Sequence, residues 1–350
     1  MPESPPADEP RVRQSRNILK YLFSAGLTVA FLYLAFRGTD FGRLLESMRR
    51  AHFGWLALHF VFLMASHMAR AWRWRYLLEP LKPRIPLRNL FSGVMVGYMM
   101  NNVIPRAGEL ARPYTIGKLE AISKTSAFGT IVVERIIDTM SFVTLVVIIP
   151  IIYKGHLRES FPWLEQAGVV SVAVIVPLLA CLVVLMLRRD WTDIILRLSA
   201  GVVPARFARR VEIYVHSFLD GFLFLKSPGN FLIIFFLSVL IWFLYAVMTY
   251  VAFFAFDLQG MLGFSGAVVV LGISSLGVAI PTPGGTGSYH AFASMTLIRL
   301  FAVDGPTALA YATLTHAIGF IGVTIIGVYY FLKDGISLSA AVKRSGSDVP

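Results

Sequence analysis

Six apolar runs in this chain are long enough to cross a bilayer: Ile18–Phe36, Trp55–Trp72, Ile136–Tyr153, Gly168–Leu187, Phe231–Phe256 and Thr307–Leu332. About 20 apolar residues span the hydrocarbon. Inside it every backbone N–H and C=O needs a partner within the protein, which leaves only helices and closed barrels. Runs of this length without two-residue alternation predict helices. Composition agrees, since 56% of the 350 residues are hydrophobic and 15% charged, against roughly 45–50% and 25% in soluble domains. The single cysteine, Cys181, excludes a disulfide framework.

Two further apolar runs, Leu90–Ile104 and Phe264–Ile280, are shorter and run into proline. Each is followed by a mildly apolar return segment, Glu109–Lys118 and Ser288–Phe301, so both read as helical hairpins that enter the membrane and turn back. The fold expected is an all-α polytopic membrane protein with six full spans, two re-entrant hairpins and about eight hydrophobic segments. It occupies one domain over residues 17–333, with a disordered Pro-rich tail over 1–16 and a short polar tail over 334–350. The first run begins late and has no small-residue cleavage site after it, which makes it an anchor rather than a cleaved signal.

Basic residues set the expected orientation. Arg11, Arg13, Arg16 and Lys20 place the N-terminus in the cytoplasm, and Lys333, Lys343 and Arg344 place the C-terminus there too. Arg70, Arg73 and Arg75 read as the cytoplasmic flank of the second span, and 188–230 is a second basic flank. Full crossing by both short runs keeps the same parity but moves Arg112, Lys118 and Lys124 outside, so re-entry and crossing both stay open. Loop 37–54 is the misfit, with Arg37, Arg43, Arg49 and Arg50 on the outer side. In this layout residues 55–153 and 231–332 form an inverted-topology repeat, and paired Gly/Pro-interrupted segments in two halves point to a transporter's binding site.

Charge inside these segments narrows the chemistry. Arg106, Glu109 and Arg112 lie on the first hairpin, and Glu134, Arg135 and Asp138 lie in or at the mouth of the third span. Each charge at bilayer centre costs about 2.5–3.5 kcal/mol on insertion scales, so six unpaired charges would cost about 15–20 kcal/mol. Three arginines and three acids sum to zero, and mutual pairing around a wet cavity removes the penalty. Interfacial snorkelling is the competing reading, at least as strong for Arg112, whereas the apolar setting of Glu134, Arg135 and Asp138 favours burial. Arginine's planar fork suits phosphate oxygens, so such a cluster can take a phospholipid or polyprenyl-phosphate head group in exchange for an internal acid.

The stretch "AIPTPGGTGSYHAF" (279–292) places Pro281, Pro283, Gly284, Gly285 and Gly287 between apolar segments. Broken backbone survives at membrane depth only where protein or water encloses it. Pro283, Gly284, Gly285 and Gly287 therefore read as a ligand-facing turn, where glycine admits close approach to the backbone. His290 and His316 follow it, either as phosphate contacts or proton sites, or as packed, singly bonded side chains. His52, His59 and His67 have no acidic or thiol companion in the sequence pattern and read as packing. No metal-ligand spacing, nucleophile elbow or Walker loop is present, so neither a cofactor nor a catalytic residue is expected. "EIYVHSFLDGFLFLK" (212–226) reads as an amphipathic helix on the cytoplasmic interface.

"NVIPRAGELAR" (102–112), "ERIID" (134–138), "PTPGGTG" (281–287) and "RAWRWRYLL" (70–78), in that arrangement, resemble the transmembrane, flippase-like domain of lysylphosphatidylglycerol synthases over roughly residues 17–333. The resemblance implies a stand-alone member without the soluble synthase half. It also implies that Arg106, Glu109, Arg112, Glu134, Arg135 and Asp138 line a lipid path, with Pro283, Gly284 and Gly285 shaping the second hairpin. The family pattern calls for an acid after the glycines and an arginine in the last span, where this chain has His290 and His316. The function expected is flipping or binding of an anionic lipid in the inner membrane, without catalysis, by alternating access about the two hairpins. The alternatives are an accessory subunit or enzyme of lipid-linked glycan or lipid modification, and a membrane scaffold. Expected partners are the lipid head group and a lipid-modifying enzyme or glycosyltransferase. Nucleic acid is not expected, and an oligomer is open.

Overall fold

The computed structural model describes residues 9–153 and 228–336, a few isolated positions between them, and side chains from Leu22 onward. Its described residues form ten α-helices and no strand. In chain order these are α1 (Glu9–Phe36), α2 (Phe41–Arg50), α3 (Phe53–Leu78), α4 (Leu87–Val103), α5 (Gly108–Glu120) and α6 (Lys124–Ile152). After the gap come α7 (Pro228–Phe254), α8 (Gln259–Ala279), α9 (Ser288–Phe301) and α10 (Gly305–Lys333), with a 3-10 turn at Pro283–Gly285 between α8 and α9. The span expected at Gly168–Leu187, the loop 154–167 and the interfacial segment 212–226 lie outside the described residues. So do residues 1–8 of the tail, and α1 starts at Glu9.

Among the described residues, α6, α7, α8 and α10 are long and apolar enough to cross a membrane. A fifth span results if α1 and α2, bent by 88°, count as one. The expected boundaries shift in two places. The run Ile136–Tyr153 is only the distal part of α6, whose 29 residues begin at Lys124, so Glu134, Arg135 and Asp138 lie well inside the helix rather than at its mouth. The short run Phe264–Ile280 belongs to the 21-residue α8, where Gly263 leaves the helical region (φ 56°) at the point where the apolar run starts. Loop 37–54 contains α2, whose Leu44 packs on Leu309 and Ala310 of α10 while Phe41 and Leu45 remain exposed.

The two halves repeat one plan of long helix, helical hairpin and long helix. The return arms α5 and α9 have 13 and 14 residues, about 20 Å at 1.5 Å per residue, too short to cross the roughly 30 Å of hydrocarbon. Both hairpins close where glycine removes a side chain. A Cβ on Gly108 would collide with the Gly97 carbonyl, and one on Gly277 would lie 2.7 Å from the Ser288 carbonyl oxygen. Close backbone approach of this kind is how helices associate in lipid, where burial of apolar surface supplies little drive.

The repeat is legible residue by residue. α5 ends on Ala121 in the left-handed region and α9 on Ala302 (φ 55° and 52°). An apolar residue follows each, Ile122 and Val303, and then the caps Ser123 and Asp304, whose side-chain oxygens accept from the backbone N–H of Ser126 and Thr307. The offset is 181 at every one of these positions, from 302 less 121 to 307 less 126. It also pairs the positive-φ residues Arg106 and Gly287 at the two hairpin turns. The turns meet: a Cβ on Gly284 would sit 2.7 Å from Asn102 Oδ1 and 2.8 Å from the Phe320 ring. Asn102 Nδ2 in turn donates to Thr324 Oγ1 at 2.8 Å and to the Phe320 carbonyl at 3.2 Å, joining the first hairpin to α10.

Candidate functional site

Two arginine-bearing helices, α3 and α5, converge on the middle of α6, which adds an arginine of its own. Glu134 is fully buried and Asp138 lies one turn further along. Arg112 of α5 makes a bidentate pair with Glu134, with Nη1 to Oε1 at 2.6 Å and Nη2 to Oε2 at 3.0 Å. Arg70 of α3 bridges both acids, at 2.9 Å to Glu134 and 2.6 Å to Asp138. Arg73, one turn on, donates to Asp138 at 2.6 Å and to Ser238 Oγ of α7 at 2.9 Å. Arg135 reaches Glu134 at 2.9 Å and Asp138 at 3.1 Å.

The surroundings hold these groups in place. Tyr245 of α7 accepts from Arg70 at 3.1 Å. The Arg112 guanidinium lies 4.3 Å over the Trp74 ring, whose Nε1 donates to Thr130 Oγ1 at 2.9 Å. The stem of Arg112 crosses α4 at Gly97, where any Cβ would collide with it. His67 packs against Tyr98 with the rings tilted by 45° and 4.3 Å between centroids, and His59 bonds the Met248 carbonyl at 2.9 Å.

Charge counting separates this cluster from an ordinary ion-pair network. Four guanidiniums face two carboxylates, a net charge of +2 at a position about 15 Å along α6 from its start. Donor counting agrees, because the buried Nε–H of Arg70, Arg73, Arg112 and Arg135 each has no acceptor. Buried charge is tolerated when paired and hydrogen-bonded, and an anion offering several oxygens would supply both the missing charge and the missing acceptors. Arg135 is the accessible member, with its side chain 43% exposed against 6% or less for the other three.

The membership differs from the neutral set expected from sequence. Arg112, Glu134, Arg135 and Asp138 come together. Arg106 and Glu109 make no side-chain hydrogen bond or ion pair among the described residues; Arg106 is exposed at the turn and Glu109 is half-buried. Arg70 and Arg73, read as a cytoplasmic flank, are buried pairing partners because α3 continues to Leu78. Their signal was present in "RAWRWR": two arginines three apart on one helix face, among aromatics.

The second hairpin carries backbone and histidine. Gly284, Gly285 and Gly287 all have positive φ (57°, 76° and 85°), following Pro283 in the 3-10 turn. A Cβ on Gly287 would lie 2.8 Å from the Thr28 carbonyl of α1, and Ser24 Oγ donates to the Pro281 carbonyl at 2.8 Å, so α1 covers this turn. His290 and His316 meet, with ring centroids 4.8 Å apart. His316 Nε2–H donates to the Gly284 carbonyl at 3.0 Å. His290 Nδ1 accepts from Gly287 N–H at 3.3 Å, which puts its ring proton on Nε2. By the offset of 181 these two positions correspond to Glu109 and Arg135. Among the described residues no group of three His, Cys, Asp or Glu is placed to hold a metal ion.

Comparison with known proteins adds independent information. A family described as "Lysylphosphatidylglycerol synthase TM region" matches residues 17–327. A UPF0104 membrane protein of Methanothermobacter thermautotrophicus is 29% identical over 76% of this chain and 81% of its own. A second from the same organism is 25% identical over 91% and 95%. The glycosyltransferase AglD of Haloferax volcanii is 24% identical over 96% of this chain, which spans 57% of that protein. No solved structure matches significantly.

Proposed function

Starting from the fact that the chain belongs to the lysylphosphatidylglycerol synthase transmembrane-region family, we propose that it takes the anionic head group of a phospholipid or polyprenyl-phosphate lipid into the arginine cluster and carries it between leaflets. The observation that carries this reading is the cluster's net charge of +2, with three of its four guanidiniums buried and four unpartnered Nε–H groups. A phosphodiester's two free oxygens and single negative charge match arginine's fork. In this reading the protein is a carrier rather than an enzyme, with both termini in the cytoplasm and the two halves inverted in the inner membrane. The hairpin turns then meet near the midplane, where transporter sites lie. In this reading the head group loads at the cluster, and alternating access moves it past the touching turns toward the histidine pair.

The test is transfer of fluorescent phosphatidylglycerol in proteoliposomes. Arg135→Ala removes the accessible guanidinium and should slow transfer by about tenfold or more, the worth of one charged hydrogen bond. An unchanged rate at equal folded protein overturns the assignment. A second reading, an accessory subunit or enzyme acting on a lipid-linked substrate, is supported by the glycosyltransferase relative. It predicts binding of polyprenyl phosphate without transfer by the wild type.

A further inference from the structure

At the end of the bundle remote from the arginine cluster lies a cavity of about 690 Å³. Its walls are the last turns of α1, the α1–α2 connection, one face of α9 and the first residues of α10. Three arginines line it, Arg37, Arg43 and Arg299, against one acid, Asp40, for a net charge of +2. Asp40 is already engaged as the cap of α2, accepting from the backbone N–H of Gly42 and Arg43, with Arg43 Nε at 3.8 Å. Arg37 leans on the Tyr33 ring at 5.9 Å. Neither it nor Arg299 has a carboxylate partner among the described residues.

The repeat shows what a satisfied version looks like. Arg299 corresponds by the 181 offset to Lys118 on the first hairpin. Lys118 donates to the carbonyl oxygens of Asp334 and Gly335, and Arg88 pairs with Asp334 at 3.1 Å. The chain itself supplies acceptors at that end, whereas at the other end Arg299 faces an open cavity. One wall is apolar and exposed, Leu34 at 60% and Ile298 at 42%, which a soluble anion does not need and an acyl chain does. The misfit arginines of loop 37–54 thereby acquire a role.

We propose that this cavity is a second site for a phosphate-bearing lipid head group, gripped by Arg37, Arg43 and Arg299 with its chains along Leu34 and Ile298. A volume of this size falls in the range of small-ligand pockets and accommodates a glycerophosphate. The assignment of the ligand as an anionic lipid rests on the proposed function; the existence of a phosphate site does not. On α9 the cavity begins at Ala291, adjacent to His290, so it continues the path from the histidine pair.

The test counts phosphatidylglycerol retained by the full chain in detergent, by native mass spectrometry during a lipid titration. Arg37→Gln/Arg299→Gln alters two exposed side chains and should leave the fold intact, which a melting curve verifies. The double variant should retain one lipid fewer, or bind the weaker of two lipids about tenfold or more less tightly. Phosphatidylcholine should not replace it. Competition by inorganic phosphate identifies a free-anion site, and its failure to compete identifies a lipid site; either supports a phosphate site here. Equal retention by wild type and variant overturns the site, and equal retention of phosphatidylcholine overturns the anionic-lipid assignment. Arg135→Gln in the same titration should lose the other lipid, so failure of the deep cluster as a ligand site is read separately.

Discussion

Glu134→Gln is the sharpest perturbation of the arginine cluster. One Glu134 oxygen lies within 2.6–2.9 Å of Arg112, Arg70 and Arg135, with Arg73 at 3.9 Å. Neutralising it raises the cluster's net charge from +2 to +3. Asp138 still serves Arg70, Arg73 and Arg135, so Arg112 alone is left without a carboxylate. Removing one partner of a buried pair costs about 3–5 kcal/mol, and the Arg112–Trp74 contact, present before and after the change, does not offset it. A loss of about 3–5 kcal/mol follows, measured by SDS titration of the folded protein in mixed micelles. Arg112→Gln in the same chain removes the stranded charge, so the double variant should recover 1 kcal/mol or more, about the coupling expected of contacting residues. Phosphatidylglycerol should stabilise Glu134→Gln more than the wild type, approaching about 2.7 kcal/mol at a hundred times its dissociation constant. A loss below about 1 kcal/mol, or losses that simply add in the double variant, would refute the pairing scheme.

Glycine positions give two further checks. Gly97→Ala drives a Cβ into the stem of Arg112 and should cost about 1–3 kcal/mol as overpacking, with lipid transfer slowed because the guanidinium leaves Glu134; the transfer assay and SDS titration measure both. Gly284→Ala meets Asn102 and Phe320 in a left-handed backbone, whereas Gly285→Ala has the same backbone demand but only 3.5 Å contacts to Val278. Both should lose about 1–2 kcal/mol to strain. Only Gly284→Ala should lose more, and equal losses would mean the two turns are not in contact in solution.

What could be read from the sequence followed from local physics. Apolar runs announced the helices, and the proline and glycine breaks announced the two turns. Charges at a span end ordinarily mark an interface, so the sequence points to a span from Ile136, whereas ten residues from Lys124 to Val133 continue the helix before the first acid. Arg70 and Arg73 look like a flank in sequence for the same reason; their acids lie 64 and 65 residues away and only the packing of α3 on α6 joins them. Arg106 and Glu109 are neighbours of Arg112 in sequence, but the left-handed turn at Arg106 keeps it exposed. His290 and His316 stand out in the sequence as the replacements for the family's acid and arginine, and their contact across 26 residues comes from the packing of α9 on α10.

The two halves share a backbone plan and differ in charge, and that asymmetry fits transport. At the offset of 181, Arg112, Glu134, Arg135 and Asp138 become Ala293, Thr315, His316 and Gly319. Had the repeat kept its charges, two clusters of +2 would face each other across the touching turns, and each unpaired charge at depth adds about 2.5–3.5 kcal/mol. The replacement leaves Thr315, His290 and His316 bonded within the protein, so the positions matching the deep cluster demand no anion of their own. A carrier needs a site strong enough to load and a continuation weak enough to release. In the proposed carrier, a charged deep cluster and an internally satisfied histidine pair, joined where Asn102 meets Gly284, would provide that gradient with one backbone plan used twice.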